Sequence, residues 1–251
     1  MNINVCVIGL GYIGLPTALM LAAHGQEVVG TDLSEKVVAA LNKGTVSLME
    51  EGIEELYDRA VSGGIRFSTE YQRADVYIIS VPTPYIQETK CVDASYVESA
   101  VKTVLGVCPK GAILVIESTI SPGTIDKQIR PLIEESGFAI GEDIFLVHAP
   151  ERIIPGNMLF ELGHNNRTVG ADQKEIGIRV KEIYASFCKG EITLTDIRTA
   201  EMTKVVENTF RAVNIAFANE LAKICRRDNM DVYEIIRIAN KHPRVNILQP
   251  G

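Results

Sequence analysis

Three polar residues, Lys204, Asn208 and Arg211, stand at i, i+4 and i+7 in a stretch, 199–227, that holds neither proline nor glycine. At about 100° per residue they fall within about 60° of one another on a helix. Such a stripe is either solvated, as cationic surfaces usually are, or turned toward a ligand. In the second case a Lys and an Asn can hold a hydroxyl oxygen and stabilise the alkoxide that precedes loss of a hydride. Other reactive groups end apolar runs: Ser80-Val-Pro-Thr83-Pro, Glu117-Ser-Thr119 and Ala149-Pro-Glu151-Arg152. Open α/β sheets bind ligands beyond the carboxyl ends of their strands, so the three segments would make one rim. Each has a plainer reading as a capped turn or, for Glu151 and Arg152, as a surface ion pair. His242-Pro-Arg244 offers two cations in a loop, suited to an anionic group or to solvent.

The most specific pattern lies near the N-terminus. Val7-Ile-Gly9-Leu-Gly11-Tyr12-Ile13-Gly14-Leu-Pro follows an apolar run at 3–8 and precedes a helical pattern at 12–24. A second apolar run, 27–31, ends in Asp32. Gly9 permits a tight turn, Gly11 lets backbone approach a pyrophosphate, and Gly14 lets a helix sit close to a sheet. The helix N-terminus then presents free N–H groups and the positive end of its dipole to phosphate. Asp32 stands where a carboxylate accepts from ribose hydroxyls, which favours NAD. The same carboxylate repels a 2′-phosphate and no arginine adjoins it, although Lys36 is within reach of one.

Positioning these groups requires a sheet with helices on both faces. Strand-like runs recur at 3–8, 27–31, 76–81, 112–116 and 144–148, with helical patterns between most of them at 12–24, 34–43, 94–106 and 123–135. That alternation predicts a doubly wound, parallel α/β sheet. Residues 50–62 read as an inserted helix before a short strand at 65–68. Later strands at 168–170 and 192–195 flank a helix near 172–187. From about residue 198 the texture changes to one long helix, 199–227, and a second at 232–240. A boundary near 196–200 divides a first domain, 1–197, from a helical segment, 198–251. Residues 241–251 read as a loop that closes no element.

Composition narrows the partners. A net charge of −7 excludes nucleic acid as the main one. No apolar run reaches the ~18 residues of a membrane span. The N-terminus enters a strand without a hydrophobic leader, which points to the cytoplasm. Cys6, Cys91, Cys108, Cys188 and Cys225 are scattered, and with four histidines they suggest neither a disulfide framework nor a metal site.

Gly-Leu-Gly-Tyr-Ile-Gly-Leu-Pro, Val81-Pro-Thr-Pro84, Glu117-Ser-Thr119, Pro150-Glu-Arg152, Ala200-Glu-Met-Thr-Lys204-x-x-x-Asn208 and Asn219-Glu220 occur in one order. This set resembles the UDP-glucose/GDP-mannose dehydrogenase family across essentially the whole chain. The resemblance implies a Rossmann-type domain, a long connecting helix and the start of an α-helical dimerisation domain. It implies NAD-dependent, four-electron oxidation of a nucleotide-sugar C6 alcohol to the uronate, by a homodimer. Phe210-Arg211-x-Val-Asn-Ile-Ala-Phe-Ala-Asn-Glu-Leu and the 242–251 segment are most similar to the branch that takes UDP-N-acetyl-D-mannosamine.

Residue by residue, the resemblance assigns NAD contacts to Gly9, Gly11, Tyr12, Ile13, Gly14, Asp32, Lys36, Thr83 and Thr119. Lys204 becomes the proton donor or acceptor, Asn208 its oxyanion partner, Glu151 the water-activating carboxylate, and Thr119 a further catalytic group. Arg152, Ile153, Lys204, Asn208, Arg211, His242 and Arg244 become substrate contacts. The family's nucleophilic cysteine lies in a Gly-Gly-His-Cys segment just beyond the motif at 242–251, and none of the five cysteines here has that context. The expectation is an N-terminal portion of a longer enzyme that binds NAD but turns nothing over. The alternatives are a β-hydroxyacid dehydrogenase, which makes one oxidation without a thiol, and a non-catalytic NAD-binding module.

Overall fold

The computed structural model describes residues 4–153 and 156–251. Its first elements are β1 (Asn4–Ile8), α1 (Gly14–Ala23), β2 (Glu27–Thr31), α2 (Glu35–Asn42), α3 (Ile53–Ser62), β3 (Arg66–Ser68) and β4 (Val76–Ile79). A two-stranded hairpin follows, β5 (Tyr85–Ile86) with β6 (Cys91–Val92), then α4 (Ser95–Leu105) and β7 (Ala112–Ile116). A π-helical turn (Ile125–Ile129) runs into α5 (Arg130–Glu135). The chain continues through β8 (Ile144–His148), α6 (Met158–His164), β9 (Arg167–Ala171), α7 (Lys174–Ala185) and β10 (Ile192–Thr195), and ends with α8 (Ile197–Arg227) and α9 (Val232–Ala239).

The main sheet has eight strands in the order β10-β9-β8-β7-β4-β1-β2-β3. Its order reverses at β1, between β2 and β4, which is where doubly wound sheets bind dinucleotides. Successive residues of β1 and β7 feed opposite faces: Val5, Val7, Ile113 and Val115 pack into one apolar cluster, and Cys6, Ile8, Leu114 and Ile116 into the other. Burial on both faces explains why these strands read as unbroken apolar runs. Each aliphatic side chain so buried contributes about 1.5–3 kcal/mol.

The expected parallel sheet is corrected at one pairing. β8 and β9 run antiparallel, with Val147 opposite Ala171 and His148 opposite Gly170. Nothing in a short strand's composition encodes its direction; the route of the preceding connection does. The helix expected at 123–135 opens as a π turn. Pro131 in its continuation has no N–H to donate and crowds the carbonyl four residues back, which a wider turn relieves. The strand expected at 76–81 ends at Ile79, and Ile3 lies outside the described residues. Helix α6 and the hairpin were not foreseen.

The chain separates into two compact units, up to Met202 and from Thr203 to Gly251, and α8 contributes to both. In the first unit, Glu201 is fully buried, and its oxygens accept from Gly123 N (2.6 Å) and Ile125 N (3.0 Å). The first turn of α8 is thus tied to the loop that follows β7. In the second unit, the expected loop 241–251 has no regular hydrogen bonding but is pinned by side chains. Asn214 Nδ2 donates to Asn246 O and its Oδ1 accepts from Leu248 N. Asn240 does the same for Ile247, and Asn219 Oδ1 accepts from Gly251 N. Among the described residues, no helix is long and apolar enough to cross a membrane.

Candidate functional site

The glycine loop joins β1 to α1. Gly9 has φ +90°, and a Cβ there would lie 2.5 Å from Ser80 O, so only glycine fits. A Cβ on Gly14 would stand 1.9 Å from Gly9 O and 2.9 Å from Ser80 Cβ. Gly11 differs: a Cβ on it would meet nothing within 4 Å. The protein's own packing demands glycine at 9 and 14, whereas the space in front of Gly11 is open. No side chain caps the N-terminus of α1, where Ile13 is the cap residue, so its first N–H groups have no acceptor from a cap.

Asp32 fixes this loop. Its Oδ2 accepts from Leu10 N and its Oδ1 from Ser34 N, both at 2.8 Å. A carboxylate offers about four lone-pair sites, so acceptor capacity remains for ribose hydroxyls. Beside it a cavity of about 140 Å³ is bounded by Gly9, Asp32, Leu33, Tyr71, Val81 and Tyr96. Burial pushes the Tyr71 hydroxyl up to about 12, so it stays neutral. Lys36 is exposed on the first turn of α2. On the rim, Thr83 Oγ1 donates to Thr119 O at 2.7 Å, which brings these two expected cofactor contacts together.

Glu151 and Arg152 do not form the surface ion pair that their adjacency suggests. Arg152 Nη2 donates to Thr168 Oγ1 at 2.6 Å and Nη1 to Asn166 O at 3.3 Å. Glu151 is buried; its Oε1 accepts from Arg152 N at 2.6 Å and its Oε2 pairs with Arg167 Nη2. Past Ile153, which is half-buried, Glu50 anchors the segment by accepting from Gly156 N (3.1 Å) and Met158 N (2.7 Å).

Glu117 is the residue whose surroundings sequence reasoning missed. Its Oε2 accepts from Ser80 Oγ and from Thr17 Oγ1 (3.4 Å), and its Oε1 from Tyr184 OH (3.1 Å). Arg167 Nη1 lies 3.6 Å from the same Oε1. Burial, opposed by Arg167 and reinforced by the Glu151 charge, raises the Glu117 pKa to about 7. His148, opposite Ile116 on the adjacent strand and also fully buried, places Nδ1 2.8 Å from Ile116 O and is held neutral by burial, with its pKa lowered to about 4. A charged residue opening an apolar strand, Arg167-Thr-Val-Gly, was the one available hint of an inward cation.

In the second unit, Lys204, Asn208 and Arg211 share a face of α8; Lys204 is half-buried, and Asn208 and Arg211 are exposed. His242 and Arg244 are exposed in the pinned loop, where Arg244 N donates to His242 Nδ1 at 3.3 Å.

Residues 3–188 match the UDP-glucose/GDP-mannose dehydrogenase family's NAD binding domain, and residues 198–251 match its central domain. The chain belongs to this family. The cofactor expected from the glycine loop and Asp32, NAD, agrees with that match. A UDP-N-acetyl-D-mannosamine dehydrogenase of Methanococcus vannielii is 47% identical over 99% of the chain, which spans 57% of that relative's length. The native structure of the Staphylococcus aureus UDP-N-acetyl-mannosamine dehydrogenase superposes with a TM-score of 0.90 at 48% identity, covering 99% of this chain and 61% of that one. The corresponding enzyme of Pyrococcus horikoshii gives 0.93 at 42% identity, over 99% and 60%. The chain thus spans well under two thirds of the length of these proteins.

Proposed function

We propose that these residues form the NAD-binding domain (1–197) and the leading part of the helical domain (198–251) of a dehydrogenase that oxidises the C6 alcohol of UDP-N-acetyl-D-mannosamine to the uronate. This four-electron oxidation would need two NAD⁺ as hydride acceptors and one water as the source of the second carboxylate oxygen. The observation that carries the reading is the glycine loop. Its central glycine faces open space, its helix is uncapped, and Asp32 stands beside a cavity suited to a nucleoside. Family membership and the names of the relatives support the sugar.

In this reading Gly9, Gly11, Tyr12, Ile13 and Gly14 hold the pyrophosphate, Asp32 the ribose, and Lys36, Thr83 and Thr119 the rest of the cofactor. NAD supplies the hydride acceptor. Lys204 takes the hydroxyl proton, Asn208 steadies the oxyanion, and Glu151 takes a proton from the attacking water. Thr119 adds a hydroxyl on the same rim. Arg152, Ile153, Arg211, His242 and Arg244 hold the UDP-sugar. The thiol that traps the aldehyde is assigned, by the resemblance, to a Gly-Gly-His-Cys segment absent from these residues. The 251 residues alone are therefore expected to bind NAD without net turnover. The proposed compartment is the cytoplasm, where NAD is at hand.

Calorimetric titration tests the cofactor assignment. NAD binds and NADP binds more weakly, and Asp32→Ala weakens NAD by ~1–3 kcal/mol, the scale of hydrogen bonds to a charged group. Equal affinity for the two cofactors would defeat the role given to Asp32. A homodimer is proposed through α8, whose Val206, Phe210, Val213, Phe217 and Ile224 are exposed on the chain alone. Light scattering that shows only monomer at high micromolar concentration would count against it.

A further inference from the structure

We propose that Arg167 is a positioning residue that acts through Glu151, and that Glu117 competes with Glu151 for its guanidinium. The inference rests on the water-activating role given to Glu151 above. All three side chains are almost wholly buried, at 4% exposure for Arg167, 6% for Glu151 and 2% for Glu117. The guanidinium is packed against two aromatic rings, 4.4 Å from the centre of Tyr184 and 5.4 Å from that of Phe187. One fork of it pairs with Glu151 Oε2, and the other stands 3.6 Å from Glu117 Oε1.

Two carboxylates share one cation, which leaves one negative charge in excess. The ionisable groups facing Arg167 are Glu151, Tyr184, Glu117 and Cys188, and none adds a second positive charge. Geometry decides which carboxylate carries the excess. Glu151 has the close ion pair and a backbone N–H, whereas Glu117 has three hydroxyl donors and the long arm of Arg167. A buried carboxylate stripped of its cation takes up a proton. Arg167 thus fixes the orientation of the Glu151 carboxylate, while burial raises the pKa of Glu117 to about 7 and lets it hold a proton. Thr17 belongs to α1, so the cluster contacts the helix that the glycine loop opens.

The test uses the complete enzyme, with kcat followed against pH at saturating NAD and UDP-N-acetyl-D-mannosamine. Arg167→Met is expected to move the acid limb to higher pH by about one to three pH units, the usual effect of losing an adjacent opposite charge. Arg167→Lys keeps the charge and restores most of that displacement. Glu117→Gln is neutral at every pH, so it leaves the acid limb in place, where wild-type Glu117 already carries its proton, and changes kcat only above about pH 7, with KM for NAD unchanged. A limb moved by Arg167→Met and not by Glu117→Gln supports the proposal. A limb that Arg167→Met leaves unmoved, or that Glu117→Gln raises as far, overturns it. If Arg167→Met does not fold, Arg167→Gln takes its place. A wild-type enzyme that leaves this sugar unoxidised overturns the proposed function and this inference with it. An active wild type whose limb no variant moves overturns the inference alone.

Discussion

The glycine loop and the buried Glu117–Arg167–Glu151 cluster are linked through Ser80 and are built in opposite ways. The loop is made of backbone. Its shape follows from missing side chains at Gly9 and Gly14 and from a single carboxylate, Asp32, that accepts two nearby N–H groups. The cluster is made of side chains from α1, β9, α7 and the ends of β4, β7 and β8. The loop faces open space at Gly11. The cluster excludes water and must balance its own charge. A site that reads a ligand through backbone needs little sequence to specify it, whereas a charge balance needs every partner in place at once.

The largest effect separates the two roles of glycine. Gly14→Ala drives a Cβ into Gly9 O, so folding or cofactor binding should lose ~3 kcal/mol or more, the upper range for overpacking. Gly11→Ala meets no protein atom, so the urea midpoint should hold while NAD affinity falls. If both variants lose stability equally, the open space at Gly11 has no meaning for a ligand.

A smaller effect tests the cluster. The Glu117 pKa is raised from 4.5 to about 7, so the folded protein keeps a proton there that the unfolded chain has released. That contribution to stability is fully present below pH 4.5 and is lost as pH rises to about 7. Gln cannot titrate, so the stability of Glu117→Gln relative to wild type should climb across this window by of order 2–3 kcal/mol. His148, with its pKa lowered from 6.5 to about 4, costs stability as pH falls through that interval, but it does so in both proteins and cancels. A difference that stays flat with pH would show that Glu117 is not the proton holder.

The smallest effect asks whether the two regions are separate. Ser80 belongs to both, since its carbonyl abuts Gly9 and its hydroxyl donates to Glu117. Ser80→Ala removes only the hydroxyl and should cost about 1 kcal/mol of stability. NAD affinity should not change. A loss of about tenfold, or ~1.4 kcal/mol, would mean that the cluster shapes the loop.

How much of this the sequence revealed follows the same division. The glycine loop, Asp32 and the strands at the switch point were legible because their residues are close in sequence and their apolar runs are continuous. The Asp32 contacts span only 22 and 2 positions. Glu117 and Glu151 were recognisable as rim residues, but their partners were not. Thr17 reaches Glu117 across 100 positions and Tyr184 across 67. No local pattern announces such pairs. Glu201 stood in a quoted motif, yet its role as the acceptor for two backbone N–H groups 76 and 78 positions away needed coordinates. Helix α6 was hidden by its short length and by Gly163 near its end.

One strand's direction has an electrostatic consequence. β9 runs against β8, so it begins at the rim where β8 ends, and Arg167 is its first residue. Were β9 parallel to β8, its opening residue would lie at the far edge of the sheet and Ala171 would approach the rim in its place. Glu117 and Glu151 would then share their enclosure with no counter-ion, a state that buried carboxylates escape only by protonation. A slip of one residue in the β8–β9 register would have a similar result, since it would turn the guanidinium to the other face. Strand polarity here sets how much negative charge is buried beside Ser80.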